Sequence, residues 1–160
     1  HTRALAALES GNKNEAYTHF RAILSSDPSD IDANYYLGVL NLEDRKAKTA
    51  LPLLQKAAKL SQKIKPVRAL GNCFEALARY SDATNCYRAV LKKTPRDGKL
   101  WVQYGRVLER DNQKDKSIEA YQKALSIEPD NAEAAIKLGW LLWKDIPILA
   151  IQTLEKALYA

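Results

Sequence analysis

The stretch YGRVLERDNQKDKSIEAYQKALSIEP, Tyr104 to Pro129, decides the fold. Tyr104, Gly105 and Leu108, with Trp101 just upstream, fall at i, i+3, i+4 and i+7, which is one stripe of a helix. Ile118, Tyr121, Ala124 and Leu125 form a matching stripe, and the residues between are a polar turn. Two apolar stripes joined by a short turn predict two helices packed face to face. Pro129 closes the pair, because proline lacks the backbone donor that a continuing helix needs.

Working outward, the same pattern returns. FRAILSSDP (Phe20 to Pro28), YRAVLKKTP (Tyr87 to Pro95) and YQKALSIEP (Tyr121 to Pro129) share an aromatic start and a terminal proline. Upstream, Gly38, Gly71, Gly105 and Gly139 each follow Leu or Tyr, in steps of 33, 34 and 34 residues. Ala16, Ala50, Ala83 and Ala150 open four second helices, and Ser117 takes that place in the remaining one. Glycine inside a helix costs about 0.5–1 kcal/mol relative to alanine, so its recurrence at one phase predicts close approach of the facing helix. Ala83 or Ser117 is the expected neighbour. Asp30, Asp97 and Asn131, just after the prolines, stand where the next helix wants its N-cap.

These residues resemble the tetratricopeptide repeat family, and the resemblance covers essentially the whole chain. Five copies are read: 1–30, 31–63, 64–97, 98–131 and 132–160, one array of 160 residues. The second copy is one residue short and has Gln62 in place of its closing proline. The fifth has lost a residue between its helices, where Asp145, Ile146 and Pro147 suit an N-cap and first turn. Pro52 requires its helix to begin near Thr49. The resemblance implies an all-α fold, a right-handed α-solenoid of antiparallel helix-turn-helix pairs. It also implies that the first helix of each pair lines a concave groove that binds peptides or partner proteins.

The positions flanking each first-helix core stripe are therefore the candidate groove. In the first two copies they are Leu5, Leu8, Tyr35, Tyr36, Val39 and Leu42, an apolar lining. In the third and fourth, Lys65, Arg68, Asn72, Glu75, Lys99, Gln103, Arg106, Glu109 and Arg110 make a cationic and amide-bearing one. In the fifth they are Glu133, Lys137, Trp140, Trp143 and Lys144. The residues expected to bind a partner are Tyr35, Arg68, Asn72, Lys99, Gln103, Arg106, Arg110, Lys137, Trp140 and Trp143. One branch of the family clamps the C-terminal carboxylates of chaperones with lysine, asparagine and arginine. Here Arg68, Asn72, Gln103 and Lys137 fall on clamp positions, but Glu133 replaces a lysine and would repel that ligand. Trp140 and Trp143 read either as partner anchors or as apolar surface awaiting a capping helix. In the second case the open C-terminal end would favour self-association.

Composition sets the limits. Of 160 residues 46% are hydrophobic and 28% charged, which suits a folded domain rather than a disordered one. The net charge of +6 is uneven: segments 1–61, 62–123 and 124–160 carry +1, +7 and −2. The basic middle favours acidic partners. Nucleic acid is not the expected partner, because Lys92, Lys93 and Lys116 lie on second helices and the charge forms no single stripe. No apolar run approaches the roughly 20 residues of a membrane span, and no membrane partner is expected. Cys73 and Cys86 match no metal or redox spacing and suit a reducing compartment, so the cytoplasm is the expected location. The chain starts at His1 and has no methionine, so a piece of a longer protein is expected.

No phosphate loop, HExxH, nucleophile elbow or clustered metal ligands appear. His19 is expected at the surface, and neither catalysis, a metal nor a cofactor is expected. The leading function is a protein-interaction scaffold that holds a peptide or partner helix in the groove and favours acidic segments. The alternatives are the regulatory or substrate-positioning arm of a larger enzyme, of the glycosyltransferase or sulfotransferase kind, and an RNA-binding helical repeat.

Overall fold

The computed structural model describes residues 1–61 and 63–143. Sequence readings at Gln62, Lys144, Asp145, Ile146, Pro147 and Ala150 lie outside the described residues. Within them every regular element is an α-helix: α1 Thr2–Glu9, α2 Lys13–Ser26, α3 Ile31–Glu43, α4 Ala47–Ser61, α5 Ile64–Ala76, α6 Tyr80–Lys93, α7 Gly98–Arg110, α8 Lys114–Ile127 and α9 Ala132–Trp143.

The punctuation works as the sequence predicts. Asp30 caps α3 by accepting from Ala33 N at 2.7 Å, and Asp97 caps α7 by accepting from Leu100 N at 3.0 Å. Asn131 does the same for α9, accepting from Ala134 N at 3.0 Å. Each bond satisfies one of the donors that a helix start leaves unpaired. Upstream, α2, α6 and α8 have stopped two residues before Pro28, Pro95 and Pro129. At Pro52 the structure differs. Helix α4 starts at Ala47 rather than Thr49, so Pro52 sits inside the helix, where it cannot donate.

The helices gather into two compact units, His1–Pro95 and Arg96–Ala160. In the first, consecutive helices pack on one another from α1 to α6, and α3 also meets α5. In the second, α7 packs on α8, and α8 on α9. The cores are made of the repeated positions. Ala16, Phe20, Ala50, Leu54, Ala83, Tyr87, Tyr121 and Ala124 are fully enclosed.

Of the recurring glycines, Gly38, Gly71 and Gly105 mark close approach, but to a different neighbour from the one expected. A Cβ on Gly38 would stand 2.7 Å from the Leu54 side chain, one on Gly71 2.6 Å from the Tyr87 ring, and one on Gly105 2.7 Å from the Tyr121 ring. It is the large side chain one turn after Ala50, Ala83 or Ser117 that needs the room. Ser117 still takes part, since its hydroxyl donates to the Gly105 carbonyl at 2.9 Å.

The turns inside the pairs carry a second repeated device. Gly11, Arg45, Ala78 and Asn112 all adopt positive φ, between 56° and 76°. At each, the next residue's N–H reaches back across the turn: Asn12 to Ala7 O, Lys46 to Asn41 O, Arg79 to Phe74 O and Gln113 to Leu108 O, at 2.8–2.9 Å. This is the left-handed helix stop that glycine favours, and three of the four turns make it without glycine. Ala78 is exposed and has no side-chain group to offset the strain. Ala78→Gly should therefore stabilise the chain by about 0.5–1 kcal/mol. The check is a higher urea midpoint at unchanged slope.

Candidate functional site

In the first unit, α3 and α5 form the walls of an open cleft of about 410 Å³. The α3 wall presents Tyr35, Val39, Leu42 and Glu43, and the α5 wall Lys65, Arg68, Ala69 and Asn72. One wall is thus largely apolar and the other cationic and amide-bearing. The sequence reading divided those chemistries between neighbouring copies, and the α3–α5 packing brings them across from each other. Glu43 at the rim accepts from Lys13 Nζ at 2.7 Å, so its charge is partly compensated.

The rest of the apolar lining read from the first two copies belongs to the core. Tyr36 stacks on Phe20 with ring centroids 5.3 Å apart and 16° between planes, and Leu5 and Leu8 pack against the same cluster. Tyr35 meets Tyr36 edge-on and remains in the cleft. Helical spacing places adjacent tyrosines 100° apart, so only one of them can face a cleft of this width.

In the second unit, Glu109 of α7 and Ile136, Lys137, Trp140 and Leu141 of α9 line a cleft of about 330 Å³. Lys137 in it and Arg106 outside its lining both have carboxylate partners. Arg106 Nη1 donates to Glu133 Oε1 at 3.2 Å, and Lys137 Nζ lies 3.7 Å from Glu109 Oε1. The glutamate that spoils the carboxylate clamp is therefore the partner of a groove arginine. Lys99 and Arg110 are exposed and Gln103 is half-buried, all on α7 outside these two clefts. Trp140 and Trp143 are 62% and 57% exposed, on an apolar face of α9 shared with Ala135, Ile136 and Gly139.

One set of residues escaped the sequence reading. The Tyr87 hydroxyl reaches Asn72 Oδ1 at 2.8 Å and Glu75 Oε2 at 2.9 Å, and the Tyr121 hydroxyl reaches Glu109 Oε1. Core tyrosines on second helices thus hold polar groove positions on first helices. Burial pushes both phenols well above the usual tyrosine range, and the adjacent Glu75 and Glu109 carboxylates push the same way. They stay protonated as donors. The signal was present in the spacing. Where the second helix carries Phe20 or Leu54, the residue twelve earlier is Leu8 or Leu42, and where it carries Tyr87 or Tyr121, that residue is Glu75 or Glu109. A buried hydroxyl and its acceptor come together or not at all.

Among the described residues no helix is long and apolar enough to cross a membrane. His19 is half-buried, its Nε2 3.5 Å from Glu15.

Comparison with known proteins bears on the same residues. The tetratricopeptide repeat model matches residues 1–63 and 68–132. A peroxisomal targeting signal receptor of Kluyveromyces lactis is 33% identical over 70 residues, 44% of this chain and 12% of the receptor. Its counterpart in Candida albicans has the same identity over the same length. The chain thus spans only about an eighth of the receptors it matches. Among solved structures, MamA superposes with a TM-score of 0.82 at 21% identity, covering 99% of this chain and 87% of MamA. YrrB, described as a repeat protein with an unusual peptide-binding site, gives 0.76 at 23% identity, over 84% of this chain and 70% of YrrB. At such identities the likeness is one of fold. The repeated helix pair, its packing glycines and the match over most of the chain have one reading: the chain belongs to the tetratricopeptide repeat family, a family of protein-interaction modules.

Proposed function

We propose that the chain binds an extended peptide or partner helix in the α3–α5 cleft, and that it favours segments in which apolar and acidic residues stand side by side. The observation that carries this is the pairing of walls. Tyr35, Val39 and Leu42 offer apolar contact, while Lys65, Arg68 and Asn72 lie opposite. Asn72, beside the Tyr87 hydroxyl, adds an amide to the cationic wall. Arg68 offers planar, two-pronged recognition of a carboxylate.

In the second unit, Arg106 pairs with Glu133 and Lys137 with Glu109. The peptide-binding site described for YrrB, and the targeting-signal receptors among the relatives, support a peptide as the ligand class.

The test is fluorescence anisotropy with labelled peptides that alternate leucine and aspartate, against the same peptides with asparagine for aspartate. The aspartate series should bind more tightly. Arg68→Glu should weaken it about tenfold or more with unchanged helicity by circular dichroism, since a like charge now faces the ligand. Equal affinity for both peptide series, or for both proteins, would remove the acidic preference. A labelled RNA that binds in place of the peptides would move the chain to nucleic-acid recognition.

A further inference from the structure

One part of the chain carries a charge excess, and only two of its cations, Lys65 and Arg68, line the α3–α5 cleft. From Arg45 to Phe74 there are eight cations, Arg45, Lys46, Lys48, Lys56, Lys59, Lys63, Lys65 and Arg68, and no acidic residue. The run straddles residue 61, and the acidic first 44 residues offset its start in the charge of segment 1–61. All but Arg68 are exposed, and Lys46 is paired only loosely, 3.9 Å from Asp44.

The run is ordered by α4. Its inner face, Ala50, Leu54 and Ala57, is fully buried. Its outer face presents Lys48, Thr49, Pro52, Gln55, Lys56, Lys59 and Leu60, all exposed. At 100° per residue these seven span an arc of about 140° that contains no carboxylate. The helix has 15 residues, so the strip is roughly 22 Å long. Leu60, 46% exposed, stands at one edge of it. The peptide cleft lies between α3 and α5, whereas this face points away from both, since Leu54 on the opposite side of α4 packs on Gly38 of α3.

We propose that the outer face of α4 is a docking surface for the anionic face of a lipid bilayer. Three observations favour a membrane over a nucleic acid or an acidic protein segment. The strip has no aromatic residue on which a base could stack. Its outward cations are lysines, point charges suited to a diffuse negative surface rather than to the paired geometry of single phosphates or carboxylates. Leu60 gives the edge of the strip an exposed apolar side chain of the kind an interfacial helix inserts. A peripheral contact of this kind needs no membrane span.

The experiment is co-sedimentation of the 160-residue chain with phosphatidylcholine vesicles, with and without about one-third phosphatidylserine, at low and high salt. Binding should require phosphatidylserine and fall with salt. Because each lysine near such a surface contributes about fivefold, Lys48→Gln/Lys56→Gln/Lys59→Gln should weaken it roughly 100-fold. These are surface changes on the exposed side, and circular dichroism checks that the fold is kept. Leu60→Gln should weaken binding severalfold at high salt, where the charges are screened. Arg68→Glu, the cleft variant, should leave vesicle binding within about twofold, which separates this surface from the peptide reading. Binding to neutral vesicles alone, full binding by the triple variant, or binding to an RNA or an acidic peptide that the triple variant loses while vesicles are ignored, would each overturn the proposal.

Discussion

Replacing Tyr121 by alanine is expected to cost the chain about 3–5 kcal/mol, the usual penalty for deleting a fully enclosed aromatic ring. Tyr121 has no exposed surface, and its ring lies directly on the Gly105 backbone. Neither α7 nor α8 can close the space without separating contacts elsewhere along their packed faces. Tyr121→Phe should cost less, about 1–2 kcal/mol, because it keeps the ring and removes only the donor to Glu109. Urea unfolding of both variants measures the difference. Should the phenylalanine variant be as unstable as the alanine one, the hydroxyl rather than the ring holds the pair together.

Gly105→Ala is expected to cost about 2–3 kcal/mol, although alanine is the better helix former. The new methyl would stand 2.7–3.0 Å from three atoms of the Tyr121 ring, and the ring cannot swing aside while its hydroxyl is held by Glu109. The two changes should therefore couple. In the Tyr121→Ala background the same glycine substitution should cost nothing measurable, because the colliding ring is gone. Strict additivity in this double-mutant cycle would show that the glycine serves some purpose other than close approach. The first copy shows how the pair can be relaxed. Ala4 stands twelve residues before Ala16, where the later copies have glycine, and it packs in the cluster with Phe20, which has no hydroxyl to tether.

The parts of the architecture set by local chemistry were legible. Asp30, Asp97 and Asn131 cap the helices they precede, and Pro28, Pro95 and Pro129 lie just past helices that have ended, because capping and proline exclusion depend on neighbours within a few residues. The left-handed stops at Arg45 and Ala78 were not legible, since neither residue type announces that conformation and only the packed pair on either side enforces it. At the candidate site, Tyr35, Arg68 and Asn72 were named from helical phase and do share one cleft. Tyr36 has nearly the same credentials in sequence but stacks on Phe20 instead.

By itself, then, the sequence determined the repeating helix pair, its glycines and stops, and so the family, because these rest on periodicity and short-range chemistry that recur every 33 or 34 residues. Which charges are available to a partner was decided only in three dimensions. Arg106 is matched by Glu133 and Lys137 by Glu109, while Lys48, Lys56 and Lys59 are gathered on one outward face of α4. Such pairings join residues 27 or 28 apart in the chain across neighbouring helices, and the energy of a charge depends on which neighbour the packing puts within a few ångströms of it.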